Sequence, residues 1–423
     1  MKNMKILILN TSERVGGASV AANRLMKALD ERGLEARMLV RDKQTDDPRV
    51  VSINNGFLTQ KINRLRFVWE RFVIFLYNRF SKKNLFAVSI ANTGSNINKH
   101  PLVREADIIH LHWVNQGFLS LKNIRQLTKL KKPIVWTMHD MWPCTGICHH
   151  ARTCVNYQSF CRNCFFLQYA SKKDLSTRIF NKKFNIFKTS NITFVTCSEW
   201  LCNMAKTSTL FANKQIIAIP NPIDTRRFNK THKNTARSYL GLPENKQLLL
   251  FSAVNLSDQR KGFDYMAKAI NLLADYKDSL ELVMVGNKKQ GDITALPLNV
   301  HYIPYITEED KMATLYNAID IYVTPSLEEN LPNTIMEAMA CGTPCAGFNT
   351  GGIPKMIDHK INGYLATYKS ADDLAAGIRW VLSEADYNTL SEKAVEKVQS
   401  HYAEQIVAAQ YVELYKSVQS SNF

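Results

Sequence analysis

No run of about 18 uncharged apolar residues is present in the sequence, so no membrane-spanning helix is expected. No export signal is expected either. The apolar run from Ile6 to Leu9 is too short and leads into polar residues without a small-residue cleavage site, so it reads as a buried first strand. Acidic residues are scarce: 37 Asp and Glu stand against 54 Lys and Arg, for a net charge of +17. That imbalance predicts attraction to an anionic partner, which leaves nucleic acid, an anionic membrane or a phosphorylated small molecule. Nucleic acid is the poorest of the three, because the basic residues are scattered and no recognition module is recognisable. No binding to it is expected. Nine cysteines, an odd number, without an export signal argue for reduced thiols or metal ligands and for the cytoplasm.

What is present is a regular alternation. With 423 residues, two domains are the default. The runs "KILILN", "EARMLV", "DIIHLHW", "KPIVWTMHD", "ITFVTCS" and "QIIAIPNP" read as buried strands. Between the first two lies a helical pattern stopped by Gly33. "QLLLFSAV", "LELVMVG", "VHYIPYI", "IYVTPS" and "TPCAGFN" repeat the theme, with helices such as "FDYMAKAINLLADY" between them. Such alternation implies α/β domains with parallel sheets covered on both faces, and ligands beyond the carboxyl ends of the strands. The proline-rich basic stretch "PNPIDTRRFNKTHKN" reads as the linker. The expected division is 1–222, 223–402 and a last helix, 403–423, packing back on the first domain, with a ligand cleft between the two domains.

Glu329 and Glu337 flank Pro332 in "PSLEENLPNTIMEAMACGTPCAGFNTGG". On one shared helix they would stand roughly 12 Å apart along the axis, beyond the usual glycosidase spacing of about 5 to 9.5 Å. The proline instead places Glu329 in a loop and starts a helix near Asn333 or Thr334, with asparagine as a good cap. The first amides of such a helix suit an anion. Holding a phosphorylated, hydroxyl-rich ligand therefore fits better than hydrolysis.

The segment "PSLEENLPNTIMEAMACGTPCAGFNTGGIPKMIDHKINGYLA" resembles the donor site of glycosyltransferase family 4, retaining enzymes of the GT-B fold. The resemblance covers nearly the whole chain and implies two Rossmann-like domains. It implies that Glu329 binds hydroxyls of the transferred sugar, orients it and stabilises charge, and that Glu337 binds the ribose hydroxyls. Asn330, Leu331, Asn333 and Thr334 would lie along the sugar and diphosphate, where many relatives are glycine-rich. "QRKGF" is similar to the family's diphosphate-binding basic site, with Lys261 at the lysine position and Arg260 beside it. Fixed cations there favour the charge that the leaving diphosphate gains. "SERVGGASVAANRLMKAL" resembles the family's glycine loop, in which Gly16 and Gly17 let the backbone approach a diphosphate or acceptor; an ordinary turn is the alternative. "TMHD" resembles the strand end whose histidine faces the transferred sugar, which marks His139; a histidine that only caps the strand is its rival, and His110 and His112 read as structural.

The implied chemistry is a front-face transfer with no side-chain nucleophile and no metal cofactor required. The implied donor is UDP- or GDP-linked, and the acceptor is a glycan or lipid-linked oligosaccharide of surface polysaccharide synthesis. The same architecture hosts sugar-nucleotide epimerases and phosphorylases, so those stay as alternatives, with a basic nucleic-acid-binding protein as the alternative from another class.

Two segments fall outside that core. Cys148, Cys154, Cys161 and Cys164 lie in "CTGICHHARTCVNYQSFCRNC" and could close a tetrahedral structural zinc site; reduced thiols in a loop are the other reading. Residues 61–83, "KINRLRFVWERFVIFLYNRFSKK", hold seven Lys or Arg within a dense apolar run. That pattern suits a helix lying on an anionic membrane, on the inner face of the cell membrane, or equally a helix packed on the first domain.

Overall fold

The computed structural model describes residues 4–54, 56–287 and 296–420; the last three residues of the expected terminal helix, 421–423, lie outside them. The chain divides into two compact units. Met1–Asn221 together with Val407–Phe423 forms the first, and Pro222–Ile406 the second.

In the first unit seven strands make one parallel sheet: β1 (Lys5–Ser12), β2 (Glu35–Asp42), β3 (Val50–Ser52), β4 (Ile108–Leu111), β5 (Ile134–Met138), β6 (Ile192–Thr196) and β7 (Ile216–Ala218). Their order is β3-β2-β1-β4-β5-β6-β7. The direction of winding reverses between β1 and β4, the switch point at which open α/β sheets bind ligands. The strands are apolar on both faces because both are covered. Leu7 and Leu9 of β1 join one core and Ile6 and Ile8 the other. The second core is roofed by the helix Gly17–Glu31, through Leu25, Met26 and Leu29, and by the C-terminal helix Glu404–Ser420, through Val407, Tyr411 and Tyr415.

The second unit repeats the plan with β8 (Gln247–Asn255), β9 (Leu280–Asn287), β10 (Val300–Ile303), β11 (Ile321–Thr324), β12 (Cys345–Phe348) and β13 (Gly363–Ala366). All are parallel, in the order β10-β9-β8-β11-β12-β13, so the reversal falls between β8 and β11. Two Rossmann-like α/β units are what the GT-B fold consists of. Among the described residues no helix is long and apolar enough to cross a membrane.

Candidate active site

In the second unit, the loops leaving β8, β11 and β12 meet beyond the carboxyl ends of their strands. After β8 the chain makes a short turn, Gln259–Lys261, and Gly262 adopts φ 72° before the helix Phe263–Asn271. A side chain there would place its Cβ 1.9 Å from the Pro325 carbonyl oxygen, so only glycine lets the two loops touch. Gly351, at φ 59°, plays the same part for the third loop: a Cβ would sit 1.8 Å from the Glu329 carbonyl oxygen. Backbone hydrogen bonds tie the loops together, Leu327 N–H to the Arg260 carbonyl at 2.7 Å and Gly352 N–H to the Glu329 carbonyl at 3.2 Å.

This clamp brings Lys261 and Glu329 into a direct ion pair, although 68 positions separate them. Ser326 donates to the same Glu329 oxygen at 3.2 Å. Burial works to lower the Lys261 pKa, but the Glu329 charge and hydrogen bond more than reverse it, and the ammonium is held above its usual range. Arg260, expected beside the lysine on the diphosphate, pairs with both oxygens of Asp258, at 3.2 and 2.7 Å. The helix Asn333–Ala340 follows, with its amino end at this loop. Its cap is Pro332 and no side chain caps it, so the expected asparagine cap is corrected: Asn333 is the first helical residue. Glu337 lies one turn in, buried, and accepts a hydrogen bond from the Tyr316 hydroxyl at 3.2 Å. Asn330 and Leu331 are buried in the loop, and Asn333 and Thr334 are half-buried at the helix start.

The first unit builds a different site. Gly16, exposed at φ 89° and ψ 157°, caps the helix Gly17–Glu31. A Cβ there would meet nothing within 4 Å, so the backbone conformation alone calls for glycine. His139 follows β5 and is half-buried, with both ring nitrogens engaged: Nε2 with His112 Nδ1 at 2.9 Å, and Nδ1 with Cys197 Sγ at 3.3 Å. His110 is held between the Tyr415 hydroxyl at 2.7 Å and Thr137 Oγ1 at 2.8 Å, and Tyr411 reaches the same threonine at 2.8 Å. Burial keeps all three imidazoles neutral: His110 is pushed down to about 3, His139 to about 4, and His112 well below its usual value. His112 Nε2 and Asn115 Nδ2, just past β4 at the switch point, are buried with no hydrogen-bond partner among the described residues. Sequence reasoning reads His112 as structural and does not single out Asn115. Their only signal was position, immediately after the strand that borders β1.

A cavity of about 790 Å³ opens at the carboxyl ends of β2 and β3, where Arg41, Lys43, Asn54 and Asn63 help to line it. The cysteine cluster does not assemble the expected cage. Among the described residues no group of three or more His, Cys, Asp or Glu stands ready to hold a metal ion. Cys148, Cys161 and Cys164 are buried while Cys154 is half-buried, and Cys161 Sγ takes the Gly146 N–H at 3.2 Å. Burial pushes the thiols of Cys148, Cys161 and Cys164 up to about 12. These residues do not fit a zinc ion as they stand.

The description "Glycosyltransferase Family 4" matches residues 15–227 and "Glycosyl transferases group 1" matches residues 232–399. Over 211 residues the chain is 26% identical to N-acetyl-alpha-D-glucosaminyl L-malate synthase of Bacillus anthracis, covering 49% of this chain and 55% of that one. It is 28% identical over 144 residues to the N,N'-diacetylbacillosaminyl-diphospho-undecaprenol alpha-1,3-N-acetylgalactosaminyltransferase of Campylobacter jejuni, covering 34% and 38%. The matched stretch thus spans about half the length of the first of these relatives and less of the second. The crystal structure of Anabaena HepE in complex with UDP-glucose superimposes with a TM-score of 0.63 and 18% identity, over 98% of this chain and 100% of that one, a likeness of fold. One family description fits the first sheet and its helices, the other fits the clamp of loops that joins Lys261 to Glu329, and the chain belongs to glycosyltransferase family 4.

Proposed function

We propose that this protein transfers a sugar from a nucleoside-diphosphate sugar to a hydroxyl of a glycan or polyprenyl-linked oligosaccharide, with retention at the anomeric carbon. The observation that carries the reading is the Lys261–Glu329 pair, set beside a helix start at the switch point of the second unit. A diphosphate at that helix start draws the Lys261 ammonium to itself and leaves Glu329 free to accept hydrogen bonds from the sugar. Glu337 accepts the ribose hydroxyls, and Asn330, Leu331, Asn333 and Thr334 line the sugar and diphosphate. In the first unit Gly16, Gly17 and His139 are the candidate residues, and the polar cavity beside Arg41 and Asn63 is the candidate acceptor pocket.

In the transfer, the bond from the anomeric carbon to the phosphate oxygen breaks, and the acceptor oxygen bonds the same face of that carbon. The acceptor's proton passes to the departing phosphate, so no side chain need act as nucleophile and no metal is required. The cation at Lys261 stabilises the negative charge that develops on the leaving group. Two relatives support this direction: HepE was crystallised with UDP-glucose, and the Campylobacter enzyme is named for a diphospho-undecaprenol acceptor. A cytoplasmic place in surface polysaccharide synthesis follows from such an acceptor.

A panel of sugar nucleotides, screened by thermal stabilisation and by release of nucleoside diphosphate, tests the reading. One UDP- or GDP-sugar is expected to stabilise and turn over, and DNA oligomers to do neither. Glu337→Ala should raise the Kd of the productive nucleotide about 10- to 100-fold, the loss of hydrogen bonds to a charged acceptor. Unchanged nucleotide affinity in that variant would remove the donor from this loop.

A further inference from the structure

The helix Phe57–Tyr77 is turned inside out. Its polar residues face the protein: Asn63, Glu70 and Arg71 are buried, Glu70 accepts the N–H groups of Ile90 and Ala91 at 2.8 Å, and Arg71 donates to the carbonyls of Leu85 and Val88. Apart from the buried Ile74 and the half-buried Phe67, Val73 and Phe75, its apolar residues face outward. Leu58, Ile62, Leu65, Trp69, Phe72 and Leu76 recur at alternating intervals of four and three, a continuous stripe along one side. Each is more than 40% exposed, with Leu65 at 65% and Trp69 at 52%. Isolated exposed leucines need no explanation, but an unbroken stripe of this length marks a surface that something covers.

The charges around the stripe say what covers it. Lys61 and Arg64 on the helix, and Arg79, Lys82 and Lys83 just after it, are all exposed. Between Phe57 and Lys83 the only acid is Glu70, which is fully buried. A second copy of the same helix would set these cations against each other, because the flanking positions carry Lys61 and Arg66 and no acid to pair with them. An anionic bilayer meets both requirements, since its headgroups attract the lysines and arginines while Trp69, Phe72 and the aliphatic residues enter the boundary with the acyl chains.

We propose that the exposed face of Phe57–Tyr77, with the basic turn that follows it, seats the first unit on an anionic membrane surface. The inference goes beyond the transfer reading and does not rest on it. The helix packs on its unit through Ile74 and the buried Asn63, Glu70 and Arg71, and its apolar stripe stays exposed.

The test is co-sedimentation of the full chain with vesicles of phosphatidylcholine alone or of equimolar phosphatidylcholine and phosphatidylglycerol, at low and high salt. The protein is expected to pellet with the anionic vesicles, weakly with the neutral ones, and to be released by salt. Lys82→Gln with Lys83→Gln should weaken partitioning about fivefold for each cation removed. A triple variant, Leu65→Glu, Trp69→Glu and Phe72→Glu, alters exposed positions and should keep its thermal unfolding profile, yet lose about tenfold or more in partitioning. No binding to anionic vesicles by the unaltered protein would overturn the inference. Equal, salt-insensitive binding to neutral vesicles would overturn its electrostatic half. A dimer in solution that the triple variant abolishes, without vesicle binding, would assign the stripe to a second copy instead. Sugar-nucleotide turnover is read separately, so a protein that binds vesicles but turns over no sugar nucleotide keeps this inference and loses the transfer reading.

Discussion

The two units share an architecture and place their polar groups at the same point of it, yet the electrostatics are opposite in kind. At the switch point of the second unit, charged side chains sit on loops: Lys261 against Glu329, Arg260 against Asp258. Two left-handed glycines let those loops touch. At the switch point of the first unit, the groups are histidines that burial keeps neutral, joined to tyrosine and threonine hydroxyls. The nearest acid, Asp140, is occupied by His149 at 2.7 Å and Trp113 at 2.9 Å. The fold fixes where a ligand binds, and the side chains fix its charge. On the proposed reading the diphosphate and the sugar hydroxyls held by Glu329 belong to the charged half, and the acceptor hydroxyls to the other.

The sharpest way to break that contrast is Lys261→Ala. If the second unit works through a fixed cation at the leaving group, kcat should fall by about 10²- to 10³-fold, the usual loss when one preorganised stabiliser is removed. Steady-state kinetics with the productive donor would show it. A near-normal kcat would leave the charged half with no catalytic part.

Acid should act on the other half. The folded pKa values of His110 and His112 lie below the ordinary value of 6.5, so the unfolded chain binds more protons than the folded one as pH drops through 6.5. The stability they contribute is complete above that pH and is lost progressively below it. With His139, lowered to about 4 by the same burial, the three together should cost about 3–4 kcal/mol between pH 7 and 5.5. Five of the six tryptophans, Trp69, Trp113, Trp136, Trp142 and Trp200, belong to the first unit, so their fluorescence during urea unfolding reports mainly on it. Equal stability at the two pH values would mean that the histidines are protonated in the fold and that the contrast between the units is false.

The charged half was legible in the sequence and the neutral half was not, for physical reasons. Parallel strands buried on both faces announce themselves as apolar runs, and eleven of the thirteen could be read that way; β3 and β13, "VVS" and "GYLA", were not among them. The donor loop is contiguous from Pro325 to Ala340, and "QRKGF" sits at the end of the neighbouring strand, so motif and topology already bring Lys261 near Glu329. The histidine network depends on packing across distance: His110 meets Tyr415 only because the C-terminal helix folds back over the first sheet, 305 positions later. Local rules failed where another residue competed. Pro332 took the cap expected of Asn333. The helix Phe57–Tyr77 misleads in its own way, since an apolar stripe read from sequence is normally assigned to the core.

Gly16→Ala should have the smallest effect, and it separates two explanations that the sequence leaves together. The glycine loop was read as a place where the backbone comes close to a ligand, but an added Cβ at Gly16 meets nothing within 4 Å of its own unit. Its φ of 89° and ψ of 157° lie in a region that only glycine occupies freely, and the substitution should cost about 1–2 kcal/mol of stability. If conformation is the whole reason for the glycine, kcat/KM measured where the variant is fully folded should change less than the stability does. If instead a ligand rests against that backbone, the methyl group should raise KM for the donor or acceptor while stability falls by the same modest amount. Denaturant unfolding and steady-state kinetics on the one variant distinguish these outcomes. An unstrained, fully active Gly16→Ala protein would remove Gly16 from both accounts and leave the helix amides beyond it as the first unit's only claim on an anion at this turn.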